Sequence, residues 1–373
     1  MTVYAVVTGG GTAGHVLPAL AVAGALVATG HDTDEIHYVG SERGIETRLL
    51  PETPYAHTFF DVVGFQRSLS RRNLGFVPKM LAARRAAISL LRELAPQVVI
   101  SVGGYASMPA VLAARKLEIP VVVVSYDLVP GRASRLAARR AAACAVAFED
   151  SPLPNATMTG APVRQEVLNV DRSADRHAAR ERIGVPDERF LVAVMGGSLG
   201  SGVLNEALAA YASERRDDGD LAIRQVAGER FVDTVDVVES TGDRGLLHQV
   251  IGYEPDMPAV YAAADMLIGR GGASTVHEVA VTGIPSVLVP WSGAADDHQT
   301  ENVRWLADVG GAVMLGEADI EGPDGLAATI ERLRGSESER RALAAAARQR
   351  GEIHRSGAMA ALIEQVALAS SEK

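Results

Sequence analysis

Short apolar runs separated by amphipathic, alanine-rich stretches set the rhythm of this chain. Val3–Val7, Ile36–Val39, Val98–Val102, Val121–Val124 and Ala145–Phe148 are such runs in the first half. Phe190–Met195, Ala222–Val226, Val250–Gly252, Met266–Ile268 and Ser286–Val289 follow in the second. Runs of this length without polar alternation predict parallel strands buried on both faces. The stretches between them carry helical spacing, as at Leu204, Leu208 and Tyr211. Strands alternating with helices predict α/β architecture, with two Rossmann-like, doubly wound parallel sheets. A chain of 373 residues exceeds a comfortable single core. The crossing is expected at Gly160–Arg164, which gives domains over 1–162 and 163–349. The stretch from about Glu337 to Ala369 reads as one long helix, its end from about residue 350 packing back on the first domain.

Two of the strands run into glycine loops that open helices: Gly9-Gly10-Gly11-Thr12-Ala13-Gly14-His15 and Gly196-Gly197-Ser198-Leu199-Gly200. Two more glycine clusters, Gly103-Gly104-Tyr105 and Gly269 to Ala273, also follow strands. Glycine lets backbone N–H groups approach a ligand, and a helix start adds partial positive charge. Ligands bind beyond the carboxyl ends of strands in open α/β sheets, so all four loops are expected to line one crevice suited to diphosphates. No metal or cofactor is needed for that task. Gly9, Gly11 and Gly14 also satisfy the dinucleotide pattern, which keeps a nicotinamide-dependent oxidoreductase as a rival. The acid that pattern requires is met only loosely by Glu42, and the rival leaves the second loop unexplained.

Composition narrows the class. One cysteine, Cys144, excludes an internal disulfide framework and fits a reducing compartment. No run approaches the roughly 20 apolar residues of a membrane span, and Val3–Val7 is too short for a signal-peptide core. The expected location is cytoplasmic. Net charge is −10, yet residues 1–150 carry 15 Lys and Arg against 12 Asp and Glu. Within them Gln66–Arg92 holds Arg67, Arg71, Arg72, Lys79, Arg84, Arg85 and Arg92 with no acid, interleaved with Phe65, Leu69, Leu74, Phe76, Val77 and Met80. A second basic run follows at Arg132, Arg135, Arg139 and Arg140. Basic and apolar residues together suit an anionic membrane surface; solvated helices with Arg stems over the core are the plainer reading. Scarce aromatics and net acidity argue against nucleic acid.

From Thr8 to about Asn302 the ordered motifs resemble the MurG family of GT-B glycosyltransferases. They are Gly9-Gly10-Gly11-Thr12-x-Gly14-His15, Gly103-Gly104-Tyr105, Pro162-Val163-Arg164, Gly197-Ser198-x-Gly200 with Asn205, Arg270-x-Gly272-Ala273-x-Thr275-Val276-x-Glu278, and Pro290–Gln299 with Asn302. The resemblance implies inverting transfer of GlcNAc from UDP-GlcNAc to the 4-hydroxyl of MurNAc in undecaprenyl-linked lipid I, giving lipid II. It also implies peripheral attachment to the cytoplasmic face of the membrane through residues 65–92, and contacts with other cell-wall synthesis proteins. Related GT-B chemistry on another acceptor, or epimerisation of UDP-GlcNAc, stays open.

Carried over by position, the resemblance assigns the donor to Thr12, Gly14, Arg164, Ser198, Gly200, Asn205, Tyr253, Glu254, Arg270, Gly272, Ala273, Ser274, Thr275, Glu278, His298, Gln299 and Asn302. Within that set, Glu278 is expected to hold the ribose hydroxyls and Ser198 the diphosphate. Arg164 and the backbone at Tyr253-Glu254 frame the uracil. Gly10, Gly11, Thr12, Gly103, Gly104 and Tyr105 are assigned to the acceptor. His15 is a candidate base, since an imidazole at a helix start stays neutral near pH 7. One departure stands out: the family's His-Glu-Gln-Asn is replaced by Val124-Ser125-Tyr126-Asp127, which makes Asp127 a second candidate base. Thr275-x-x-Glu278 is also a capping-box pattern. In Asp296-Asp297-His298 the acids are read as dipole partners before a helix and Asp32-Thr33-Asp34 as a loop, neither as metal ligands, and Trp291 and Trp305 as packing.

Overall fold

Valine-rich strands pair in parallel in both halves of the chain. The computed structural model describes residues 3–64, 76–197, 200–240, 245–294 and 297–371. It divides into two units, Met1–Gln165 with Ile353–Lys373, and Glu166–Glu352. The first unit contains β1 (Ala5–Thr8), α1 (Ala13–Ala28), β2 (Ile36–Ser41), α2 (Glu46–Leu49), β3 (Ala56–Phe60) and α3 (Phe76–Leu94). It continues through β4 (Val98–Ser101), α4 (Met108–Lys116), β5 (Val121–Ser125), α5 (Arg132–Ala138), β6 (Ala143–Val146) and β7 (Ala156–Met158). Its sheet runs β3-β2-β1-β4-β5-β6-β7, parallel throughout. Strand order reverses between β1 and β4, where register pairs Thr8 with Ser101. The two glycine loops therefore leave the sheet side by side at its switch point. Val6, Val39, Val99, Val123, Val111 and Leu91 are almost wholly buried in one core beneath them. Each such side chain contributes about 1.5–3 kcal/mol.

The second unit follows α6 (Gln165–Leu168) and α7 (Arg176–Ile183) with β8 (Phe190–Met195), α8 (Gly202–Glu214), β9 (Leu221–Val226), β10 (Leu247–Ile251) and α9 (Met257–Ala263). Next come β11 (Met266–Arg270), α10 (Ala273–Thr282), β12 (Ser286–Val289), α11 (His298–Ala307), β13 (Val313–Met314), α12 (Leu326–Gly335) and α13 (Glu337–Gly351). The order β10-β9-β8-β11-β12-β13 is again parallel, with its switch point between β8 and β11. Met195 pairs with Gly269, so these glycine loops also start level. Arg180, 1% exposed, braces the base of this sheet through Asp265 at 2.8 Å and the carbonyls of Ala263, Pro186, Asp187 and Arg189.

Three edge strands, β3, β7 and β13, are absent from the sequence reading, and β10 begins three residues before its expected start. The single long C-terminal helix is also corrected. After α13 the chain makes a tight turn over Glu352–Arg355, Gly357 takes a φ of 72°, and α14 (Ala358–Ser371) starts afresh. The turn is fixed by His354, whose Nδ1 accepts the Ala161 N–H at 2.9 Å. On α14, Glu364 accepts from the Thr29 hydroxyl at 2.7 Å and pairs with His31 at 3.3 Å. Among the described residues no helix is long and apolar enough to cross a membrane.

Candidate active site

In the first unit, backbone packs on backbone where the glycine loops meet. A Cβ on Gly104 would lie 2.3 Å from the Gly10 carbonyl oxygen, and Gly104 takes a φ of 77°. Beside this contact His15, Gly104, Val124, Tyr126, Asp127, Arg132 and Ser134 line a pocket of about 210 Å³. Two distant candidates, His15 and Asp127, thus come together. The His15 Nδ1 lies 3.1 Å from Thr12 Oγ1. When Nδ1–H donates to that hydroxyl, Nε2 keeps a free lone pair. Burial lowers the imidazole pKa, while Asp127 and Glu46 pull it upward. Thr12 caps α1 by position, and Gly14 gives its carbonyl to the Tyr126 hydroxyl.

Gly11 departs from the expected acceptor role. Its N–H already donates to the Glu46 carboxylate, 3.1 Å from each oxygen, and the Tyr105 ring covers its other side. Glu46 was not visible as a functional residue in the sequence, although Gly40 and Gly44 around it hint at a close approach. Tyr126 was missed as well. It is 5% exposed and clamps the first turn of α1, the turn that carries His15.

In the second unit, α10 is buried at every residue but Ser274 and Glu278, which share one face at i, i+4. Gly272 is the N-cap of α10 and Thr275 its third residue, so the capping-box reading of Thr275 and Glu278 fails. The Glu278 Oε2 instead accepts from the buried Tyr261 hydroxyl at 2.6 Å. Gly200 ends the β8 loop, Ala273 opens α10, and Ser198 lies outside the described residues with Asp296. Gln299 Oε1 accepts the Trp291 N–H at 3.0 Å, and His298 opens α11 half-buried. Trp291 differs from the packing role expected of it: it is 50% exposed beside Gln299. Trp305 does pack, edge-on to His277 and under Arg350.

Several of the residues assigned to the donor are bonded within the second unit. Arg270 is buried and bonds Ser201 Oγ and Glu317, each at 2.6 Å. Asn302, fully buried, donates to the Gly271 carbonyl. Glu254 pairs with Arg224 at 2.7 Å and receives the Asp256 N–H, while neighbouring Tyr253 is 56% exposed. Asn205 donates to the Ala227 carbonyl and accepts from Gln225, whose own oxygen meets His248 Nε2. Burial pushes His248 down to about 4, and its Nδ1 accepts the Val238 N–H, so the ring is neutral with its proton on Nε2. Arg164 stands half-buried after β7, in the first unit.

Comparisons with known proteins bear on the family. The glycosyltransferase family 28 N-terminal domain matches residues 5–146 and its C-terminal domain residues 191–360. The crystal structure of Acinetobacter baumannii MurG is 27% identical with a TM-score of 0.68, over 98% of this chain and 99% of that one. The UDP-N-acetylglucosamine--N-acetylmuramyl-(pentapeptide) pyrophosphoryl-undecaprenol N-acetylglucosamine transferase of a Nocardioides species is 38% identical over 312 residues, 84% of each chain. The enzyme of that name from Shewanella loihica is 34% identical over 370 residues, 98% of this chain and 96% of the relative. The chain belongs to the MurG family.

As a MurG-family glycosyltransferase of GT-B fold, it carries at the end of β5 the Val124-Ser125-Tyr126-Asp127 segment singled out in its sequence. Val124 and Ser125 are buried there, Tyr126 is bonded to α1, and Asp127 alone of these four residues stands half-open at the pocket. Burial and Asp127 both raise the Tyr126 phenol pKa, so it serves as a neutral donor.

Proposed function

We propose that this enzyme transfers GlcNAc from UDP-GlcNAc, with inversion, to the 4-hydroxyl of MurNAc in undecaprenyl-pyrophosphoryl-MurNAc-peptide. The product is lipid II for peptidoglycan, and the step serves cell-wall growth, shape and division. The observation that carries the reading is the open face of α10, where Ser274 and Glu278 follow the glycine loop that opens the helix. A carboxylate there suits the vicinal hydroxyls of a ribose, and the N–H groups at Gly272 and Ala273 suit a diphosphate. The exposed Tyr253 and the backbone of Glu254 frame the base; His298 and Gln299 read the sugar. Arg270, Asn205 and Asn302 act by holding these loops in place.

On the acceptor side, His15 Nε2 takes the proton of the 4-hydroxyl as its oxygen bonds to the anomeric carbon. The bond from that carbon to the UDP oxygen breaks on the opposite face, and UDP leaves with the electron pair. Asp127 faces the resulting imidazolium and stabilises it. Gly103, Gly104, Tyr105 and Arg132 supply the surroundings of the acceptor. A coupled assay should show UDP release from UDP-GlcNAc that depends on added lipid I. Release at an equal rate without acceptor, or conversion to an epimer, contradicts the reading.

Attachment to the membrane surface is part of the proposal. On α3, Leu81, Arg85 and Arg92 are exposed and share one face at i, i+4 and i+11. Arg67, Arg71 and Arg72 of the basic stretch lie outside the described residues. Each cation near an anionic leaflet is worth about 1 kcal/mol. Arg85→Glu with Arg92→Glu should therefore weaken sedimentation with phosphatidylglycerol vesicles on the order of tenfold or more, at unchanged UDP-GlcNAc affinity. Vesicle binding equal to that of the parent protein rejects the role.

A further inference from the structure

We propose that Glu46 is a built-in anion that fills the phosphate nest of the first glycine loop and positions His15, so that the loop takes no pyrophosphate at Gly11. The side chain is fully buried, with 0% exposure. Its Oε1 accepts the N–H of Ser41 at 2.8 Å and that of Gly11 at 3.1 Å; its Oε2 lies 3.1 Å from the same Gly11 nitrogen. Three glycines make room for it. A Cβ would come within 2.3 Å of the carboxylate at Gly10 and 1.9 Å at Gly44, and within 2.9 Å of the side-chain stem at Gly40. This is a cradle shaped around two oxygens and lined by backbone donors, the same chemistry by which a G-x-G-x-x-G loop holds a dinucleotide pyrophosphate. Here the chain supplies the oxygens itself, 35 residues downstream. A second anion at Gly11 would meet an occupied donor and a buried negative charge.

The consequence for the acceptor rests on the proposed function. Its pyrophosphate must find another partner, and Arg132 is the one permanent cation among the described residues lining the His15 pocket. His15 is faced by Asp127 after β5, Glu46 from α2, Thr12 at its own helix start and Arg132 from α5. The Tyr38 and Tyr126 hydroxyls hold the Gly9 and Gly14 carbonyls as neutral donors. Glu46 thus fixes the loop that carries His15 and adds a negative charge near it.

The test is an amide and imidazole NMR study of the full chain with inorganic pyrophosphate, which needs no turnover. In the parent protein the Gly11 amide should not move over the titration. In Glu46→Gln, whose oxygen still accepts from Gly11 and Ser41, the fold should persist and the His15 ring should titrate at lower pH than in the parent. In Glu46→Ala the vacated nest should bind pyrophosphate, seen as a saturable Gly11 shift. A Gly11 shift in the parent protein, or an identical His15 titration in parent and Glu46→Gln, overturns the proposal even if Glu46→Ala does not fold. Loss of the transferase reading alone would leave these spectra as expected.

Discussion

A His15→Ala enzyme is expected to lose about 10²- to 10⁴-fold in kcat while its KM for UDP-GlcNAc stays near the parent value. The split follows from placement, because His15 lies in the first-unit pocket and the α10 side chains proposed to read the donor lie in the second unit. The pH profile gives a second readout. Burial sets the His15 pKa below the ordinary imidazole value of 6.5. The neutral ring is the active form, so activity should hold as pH falls through 6.5 and decline only below it. Asp127→Asn removes a charge that raises this pKa, so the acid limb should move to still lower pH, with a smaller loss of kcat. If Asp127→Asn were inactive and His15→Ala were not, the base would be Asp127.

Glu278→Gln should raise the dissociation constant for UDP roughly 10- to 100-fold, since hydrogen bonds to a charged group are worth about 1.5–3 kcal/mol. Thermal stability should change little, because the amide oxygen can still accept from the Tyr261 hydroxyl. Glu278→Ala is a different experiment. It removes the Glu278 hydrogen bond to that hydroxyl, on a residue with 0% exposure, and should lower stability by about 1–3 kcal/mol as well. Isothermal titration with UDP and a melting curve separate the two effects. Parent-like UDP affinity in Glu278→Gln would reduce Glu278 to a support for Tyr261.

The strands that were legible in the sequence are those buried on both faces. Val121–Val124 reads as a strand because every side chain from β5 is buried, whichever way it points. The missed strands lie at sheet edges, where β3, β7 and β13 expose much of their length and lose the continuous apolar signature. Glycine loops were visible because their chemistry is local: only glycine tolerates the approach of Gly104 to the Gly10 carbonyl. Roles created by distant contacts were not visible. Nothing local reveals that Glu46 will meet Gly11, or that Arg270 and Asn205 will turn inward to bond Ser201 and Ala227. Buried polar groups must be paired, and these motif residues satisfy one another beneath the loops. Those residues therefore hold the loops of the proposed donor site from below, while Ser274, Glu278, Tyr253 and Gln299 are left partly or fully exposed.

The most direct measurement is transfer of radiolabelled GlcNAc from UDP-GlcNAc to a lipid I analogue, followed by determination of the new anomeric linkage. A β-linked GlcNAc on the muramoyl 4-hydroxyl, with one UDP released per sugar transferred, is the expected result. An α-linked product, transfer only to some other acceptor, or no transfer despite tight UDP binding would contradict it.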